Sequence, residues 1–329
     1  QAQIEIHGHA IEARLYAEDP AQGFLPQTGI VHELIWPSEH ANSRVDTGIA
    51  KGGEVSSFYD SMIAKIIAWA PSRNEAIRRL QHALQDTFLF GLKTNKGFLL
   101  SISRSPDFAR EAPTTRFLDE YGAATVKPPA ELVVVASLCW LYNRSSSDHG
   151  PWAMGSGWIL AGGTRQERHK ISVQGRIVEI LLAHENRSLT IELENERHSI
   201  EKMEFQGGAL HLLVDGKPAE AHFHRSGLQL FVDVGGHHLT LSQPDYADYE
   251  SNAPGEGSVR APMPGRVLKL EISKGAPVRA GDRLLVLEAM KMEHVLRAPL
   301  AGRVADISVA QGQQVREGDV LCIIGPESQ

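Results

Sequence analysis

The sequence predicts a multidomain protein, α+β over its first third and mostly β after that. Three observations carry this expectation. The chain has 329 residues, more than one hydrophobic core usually serves, which points to two or three domains. Eight short runs of alternating apolar and polar residues, separated by turn signals, follow Arg168, the pattern of antiparallel strands. The C-terminal segment repeats itself, with Ala261-Pro262-Met263-Pro264-Gly265-Arg266-Val267 recurring as Ala298-Pro299-Leu300-Ala301-Gly302-Arg303-Val304 at a spacing of 37 residues. Two similar all-β halves of this length predict a small flattened sandwich with pseudo-twofold symmetry.

Composition narrows the class. With 42% hydrophobic and 22% charged residues the chain can bury real cores. Lys plus Arg number 33 against 40 Asp plus Glu, a net charge of -7, which argues against a dedicated nucleic-acid binder. The longest apolar run, Leu132 to Tyr142, falls short of the roughly 20 residues that cross a bilayer. No basic-then-apolar leader opens the sequence, so neither a membrane span nor export is expected. Gln1 stands first and the strand-like Ile4-Glu5-Ile6 follows at once, so the chain is expected to start inside a folded unit. Cys139 and Cys322 are the two cysteines, too few for a disulfide framework, and a reducing compartment is expected.

Each element follows from local pattern. A strand is expected up to about Leu15, then turns at Asp19-Pro20 and Pro26. After Pro71, Ser72 with Glu75 forms a capping box, and Ile77, Leu80, Ala83 and Leu84 form one apolar helix face. Glu131 to Asn143 reads as a helix apolar nearly all round, through Val133, Val134, Val135, Leu138, Trp140 and Leu141, and such a helix must be enclosed. Eight strands are about the number whose closed barrel side chains can fill, so the barrel is expected to wrap this helix. The segment 245–257, rich in small and acidic residues, reads as a flexible linker with a mobile domain beyond it. The expected division is therefore 1–121, 122–244, the linker 245–257, and 258–329.

The two halves of the C-terminal repeat are joined by Glu288-Ala289-Met290-Lys291-Met292-Glu293-His294. A tight hairpin there would push Lys291 to the outermost point of the domain. Ala289-Met290-Lys291-Met292 resembles the biotin attachment sequence of biotin carboxyl carrier domains, with Lys291 at the biotinylated position. A lysine amine must be exposed and isolated to be acylated, and Met290 and Met292 are unbranched, apolar and unable to compete as nucleophiles. A solvated surface lysine, like Lys269 and Lys274, is the bland alternative; position at the symmetry hairpin between two methionines outweighs it.

Gly8-His9-Ala10-Ile11-Glu12-Ala13-Arg14-Leu15-Tyr16-Ala17-Glu18-Asp19-Pro20 resembles the start of the C-terminal subdomain of biotin carboxylases. Phe24-Leu25-Pro26, Tyr59-Asp60-Ser61-Met62-Ile63-Ala64-Lys65 and Gly91-Leu92-Lys93-Thr94-Asn95 continue the match in order. The resemblance implies a catalytic role for Arg14, contacting biotin and bicarbonate and holding negative charge on the ureido oxygen. A fixed guanidinium suits that task, since a ureido nitrogen is a poor nucleophile. Alone, Arg14 would read as an ion pair with Glu12 or Glu18. His9, Tyr59 and Asp60 are expected to serve packing and turn hydrogen bonds, and Lys65 a solvated or interfacial face.

The middle segment is similar in architecture to the domain that docks acyl-CoA carboxylase alpha subunits onto a carboxyltransferase. Pro151-Trp152 and Gly157-Trp158 are similar to the methylcrotonyl-CoA and geranyl-CoA branch. His222 with His224, and His237 with His238, make a metal site conceivable, but surface histidines without a third ligand are expected to be solvated, and no metal is assigned.

The resemblance therefore implies the C-terminal part of a biotin-dependent acyl-CoA carboxylase alpha subunit of 3-methylcrotonyl-CoA type, a ligase. Covalent biotin on Lys291 is the implied cofactor. ATP and Mg or Mn are implied only for the full-length subunit, because the chain has no glycine-rich phosphate loop or paired magnesium carboxylates. The implied partners are a carboxyltransferase beta subunit, which brings the acyl-CoA substrate, and a biotin protein ligase, in a hetero-oligomer. Bacterial cytoplasm is preferred over the mitochondrial matrix. Three alternatives stand beside this reading: a lipoyl carrier domain, an adaptor using the repeat only for packing, and a truncated subunit that is biotinylated and docks but cannot carboxylate.

Overall fold

The computed structural model describes residues 7–37, 43–110, 113–118, 129–145, 165–185, 188–206, 208–244, 257–290 and 292–325. Lys291, Pro151-Trp152, Gly157-Trp158 and all but the last residue of the expected linker lie outside them.

The N-terminal unit is built on a three-stranded antiparallel sheet in the order His9–Tyr16, Met62–Ala70, Ser43–Thr47. The middle strand reads as a near-continuous apolar run and buries Ile63, Ala64, Ile66, Ala68 and Ala70. Helix Arg73–Gln85 packs on it through Ala76, Ile77, Leu80, Ala83 and Leu84, the face its 3.6-residue period marks out. Ser72 caps this helix by accepting the Glu75 N–H at 3.4 Å, while the Glu75 carboxylate is committed one turn ahead, to Arg79.

Eight strands, from Arg165–Val173 to His237–Ser242, form a closed barrel in which each pairs antiparallel with the next. Closure comes from Ser172 opposite Ser242 and Val173 opposite Leu241. The hairpin between Val214 and Lys217 turns through Asp215 at φ 51 and Gly216 at φ 75, the left-handed pair that matches strand twist. Helix Ala130–Ser145 fills the barrel. Its Val134, Leu138 and Cys139 are fully enclosed by residues such as Ile171, Ile180, Ile191, Leu210, Leu230 and Leu239. A helix with no polar face is stable in water only when surrounded, and the barrel supplies that surrounding.

The barrel and the N-terminal unit share a joint. Lys96, on helix Lys96–Arg104, meets Asp233 of the barrel at 2.5 Å with both side chains buried. The Lys96 ammonium also donates to the Thr87 carbonyl at 2.7 Å and lies 5.2 Å from the Phe88 ring centre. The histidines expected to be solvated instead line this joint. His222 stacks on Phe88 at 3.7 Å, His224 lies 6.3 Å from Phe90, and His238 lies 5.9 Å from both Phe90 and Phe231. Strand alternation had placed His222 and His224 on one face; the covering aromatic surface comes from residues more than a hundred positions earlier, which no local pattern reveals. Among the described residues no group of three or more His, Cys, Asp or Glu could hold a metal ion.

This joint sets a pH dependence. Burial pushes the His238 imidazole down to about 4, against attraction from Asp233 and with repulsion from Lys96 and Lys93. Burial also lowers His237 and His224. A depressed imidazole is neutral in the native state and protonates first in the unfolded chain, near its ordinary value of 6.5. Stability contributed by His238 is therefore full above about pH 6.5 and falls as pH drops toward 4. One such group amounts to about 3 kcal/mol across the window. Urea midpoints at pH 7.5 and 4.5 should fall steeply for the wild type and less for His238→Gln; equal falls would remove His238 as the cause.

The C-terminal domain stacks two four-stranded sheets. Its symmetry is visible atom by atom. Arg279 N–H donates to Asp282 at 2.7 Å, and Arg316 N–H to Asp319 at 2.7 Å. Arg303 reaches the Gly275 carbonyl and Arg266 the Gly312 carbonyl. Strands Gly265–Leu270 and Gly302–Ile307 bury the same alternate positions. Gly257, expected in the linker, accepts the Ile324 N–H at 2.8 Å.

Candidate functional site

Strands Arg283–Ala289 and Met292–Arg297 pair so that Ala289 faces Met292. The hairpin they form lies at the junction of the two repeats, where the sequence places one. Met290 adopts φ 49, the left-handed conformation that tight hairpin turns favour.

The surroundings of this turn differ from the expectation of a free, outermost hairpin. Met292 is 52% exposed, but Met290 is only 7% exposed. Met290 joins the apolar cluster of Leu15, Ala17, Val31, Val55 and Ile63 in the N-terminal unit. Its backbone N–H donates to the Ser57 carbonyl at 3.0 Å. Leu25 packs with Met263 and Ala289 in a second, smaller contact. The sequence marks Met290 as apolar and flanking a lysine, yet carries no sign of what covers it.

Arg14 lies on strand His9–Tyr16, opposite Lys65. Its side chain is 57% exposed, and Nε donates to Glu12 at 2.9 Å, the ion pair that residue types alone would suggest. Hydrogen bonds to Glu12 and then Tyr16 push the guanidinium pKa further up, so Arg14 is a permanent cation. It lines a cavity of about 650 Å³ with Tyr16, Glu18, Phe24, Asn95 and Phe98. Burial pushes the Glu18 carboxyl up in pKa, against the hydrogen bond from Ser61.

Asn95 fixes the strand beneath Arg14. Its Oδ1 accepts the Tyr16 N–H at 2.9 Å, its Nδ2 donates to the Arg14 carbonyl at 3.2 Å, and its own N–H donates to the Tyr16 carbonyl at 3.1 Å. It is the last residue of Gly91-Leu92-Lys93-Thr94-Asn95, a stretch to which the sequence alone attached no role. Asp60 accepts the Met62 N–H at 2.8 Å, a turn hydrogen bond, and Tyr59 is exposed. No residue of the C-terminal domain is among those lining the Arg14 cavity, so this arrangement does not bring Met290 and Arg14 to one site.

Three families match in succession. Residues 12–120 match the biotin carboxylase C-terminal domain, residues 128–245 the BT domain of methylcrotonyl-CoA carboxylase alpha subunits, and residues 257–324 the biotin-requiring enzyme family. In this order the three matches make the chain similar to biotin-dependent acyl-CoA carboxylase alpha subunits. It is similar to the mitochondrial methylcrotonoyl-CoA carboxylase subunit alpha of Dictyostelium discoideum, with 29% identity over 90% of this chain and 46% of that protein. The corresponding subunit of Oryza sativa subsp. japonica is 31% identical over 90% and 46%. The propionyl-CoA carboxylase alpha chain of Ruegeria pomeroyi is 29% identical over 90% and 48%. The chain thus spans about half the length of the curated relatives it matches. Similar identity to relatives named for two acyl-CoA esters means that overall likeness does not discriminate the substrate.

Proposed function

We propose that Lys291 is the biotin attachment residue and that its biotin carries a carboxyl group from a carboxylase site containing Arg14 to a carboxyltransferase beta subunit. The acceptor there is an acyl-CoA, of the 3-methylcrotonyl type in our reading. The single observation that carries this is the hairpin at the junction of the two repeats, where Ala289 pairs with Met292 and Met290 is left-handed. A hairpin tip is the kind of position that suits an amine a modifying enzyme must reach. Amide formation with biotin removes the ammonium charge and supplies a long arm whose ureido group accepts the carboxyl.

In this reading residues 1–121 contribute the carboxylase surface, 122–244 the docking barrel, 245–257 the linker and 258–329 the carrier. The linker makes the second encounter intramolecular, raising the effective concentration of the carrier at the beta subunit. Met290 and Met292 flank the amine as contacts for a biotin protein ligase. ATP and Mg or Mn would be handled by the full-length subunit. Cys139 and Cys322 are both buried and free, and burial raises the Cys322 thiol to about 11; inert thiols of this kind support a reducing compartment, of which we favour bacterial cytoplasm.

The test is intact mass and peptide mapping after incubation with biotin ligase, ATP and biotin, on the wild type and on Lys291→Ala. One biotin adduct on Lys291, absent from the variant, is expected. A folded wild type that takes no biotin would end this reading.

A further inference from the structure

The carrier turn does not stand free. Two separate contacts hold it on the N-terminal unit, one through Met290 at the edge of that unit's apolar cluster and one through Leu25. Leu25 packs in a cluster whose other members are Met263 and Ala289, both of the C-terminal domain. Leu25 is 7% exposed with these neighbours in place, and Met290 is 7% exposed in its cluster with Leu15, Val31 and Val55. The hydrogen bond from Met290 N–H to Ser57 O adds direction to these apolar contacts. Leu15 and Arg14 are successive strand residues whose side chains point to opposite faces, and no carrier residue lines the Arg14 cavity.

We infer that the N-terminal unit carries a parking site for its own carrier turn, with Met290 as the plug and Leu25 as the second anchor, and that the turn must leave it before Lys291 can be loaded. The inference rests on the Lys291 reading above. Its physical basis is exclusion. Met290 immediately precedes Lys291, and its side chain and its N–H are already covered by the N-terminal unit. A protein that has to enclose the same turn cannot contact Met290 at the same time. The parked fraction therefore reduces the apparent rate of any such encounter in proportion to the population that is free.

Leu25 allows a test outside both the attachment motif and the N-terminal core. In the full chain, Leu25→Cys with Met263→Cys should form a cross-link under mild oxidation, since Cys139 and Cys322 are buried and do not compete. With biotin ligase, ATP and biotin, the cross-linked chain should be biotinylated about tenfold or more slowly than the same chain after reduction, the loss expected when nine-tenths or more of the turn is withheld. Leu25→Glu, which places a charge in the anchor, should be biotinylated faster than the wild type. Failure of the two cysteines to cross-link, or equal rates before and after reduction, would overturn the parking site while leaving the Lys291 reading intact. Absence of biotin in every variant, Leu25→Glu included, would overturn the Lys291 reading and take the gating with it, although the cross-link yield would still report the contact.

Discussion

Asp233→Ala should destabilise the joint between the N-terminal unit and the barrel by about 3–5 kcal/mol, the usual cost of stranding one partner of a buried ion pair. The Lys96 ammonium would keep the Thr87 carbonyl and the Phe88 ring but lose the buried Asp233 carboxylate. Neither side chain is more than 5% exposed, so water cannot replace what is removed. The ammonium regains solvent only if the two units part, and separation then limits the measured cost to the free energy of the joint. Urea unfolding should show a lower midpoint, and hydrogen exchange should show faster exchange at Phe88–Phe90 and along the barrel strand Gln229–Val234. Replacing both partners together, Lys96→Met with Asp233→Leu, should recover most of the loss, because paired apolar side chains need no desolvated charge. An Asp233→Ala chain as stable as wild type would mean that the joint does not hold Lys96 in the dry position seen here.

Arg14→Gln, placed in the complete carboxylase subunit, should lower the ATP-dependent carboxylation of biotin by about 10²–10³ in kcat, the range for removing one fixed donor to a developing oxyanion. Its melting temperature should be unchanged within error, because an exposed pair such as Arg14 with Glu12 adds little to stability. Arg14→Lys keeps the charge and loses the planar fork, so it should recover only part of the rate. The split matters. A surface ion pair would leave kcat alone, whereas a group that holds charge on a ureido oxygen would not. Asn95→Ala offers a companion test through the clamp on the Arg14 and Tyr16 backbone, and its effect should fall on kcat together with stability.

Much of the fold was legible in advance because the relevant signals are local or periodic. Eight alternating runs, an apolar helix with no polar side and a repeat at 37 residues each imply their own solution: strands that close, a helix enclosed by them and a twofold sandwich. The site was partly legible for the same reason. The repeat placed a hairpin within Glu288 to His294, whereas Arg14 was marked out by the motif around it and not by any pattern of its own.

Other features were decided only in three dimensions. Lys96 and Asp233 stand 137 positions apart, and either would be an ordinary surface charge in its own segment. The four barrel histidines read as solvated, yet His222 and His238 meet Phe88 and Phe90. Met290 read as part of a displayed hairpin and is buried against Leu15, Val31 and Val55. The common physical reason is that residue pattern specifies which face of an element is apolar, because that depends on a few neighbours, but not which distant surface covers it. The sequence by itself determined the three kinds of domain, the turn and the residue types that can do carrier chemistry. The tertiary structure alone decided that the turn is docked, that the histidines form a joint, and that a buried ion pair holds two of the units together.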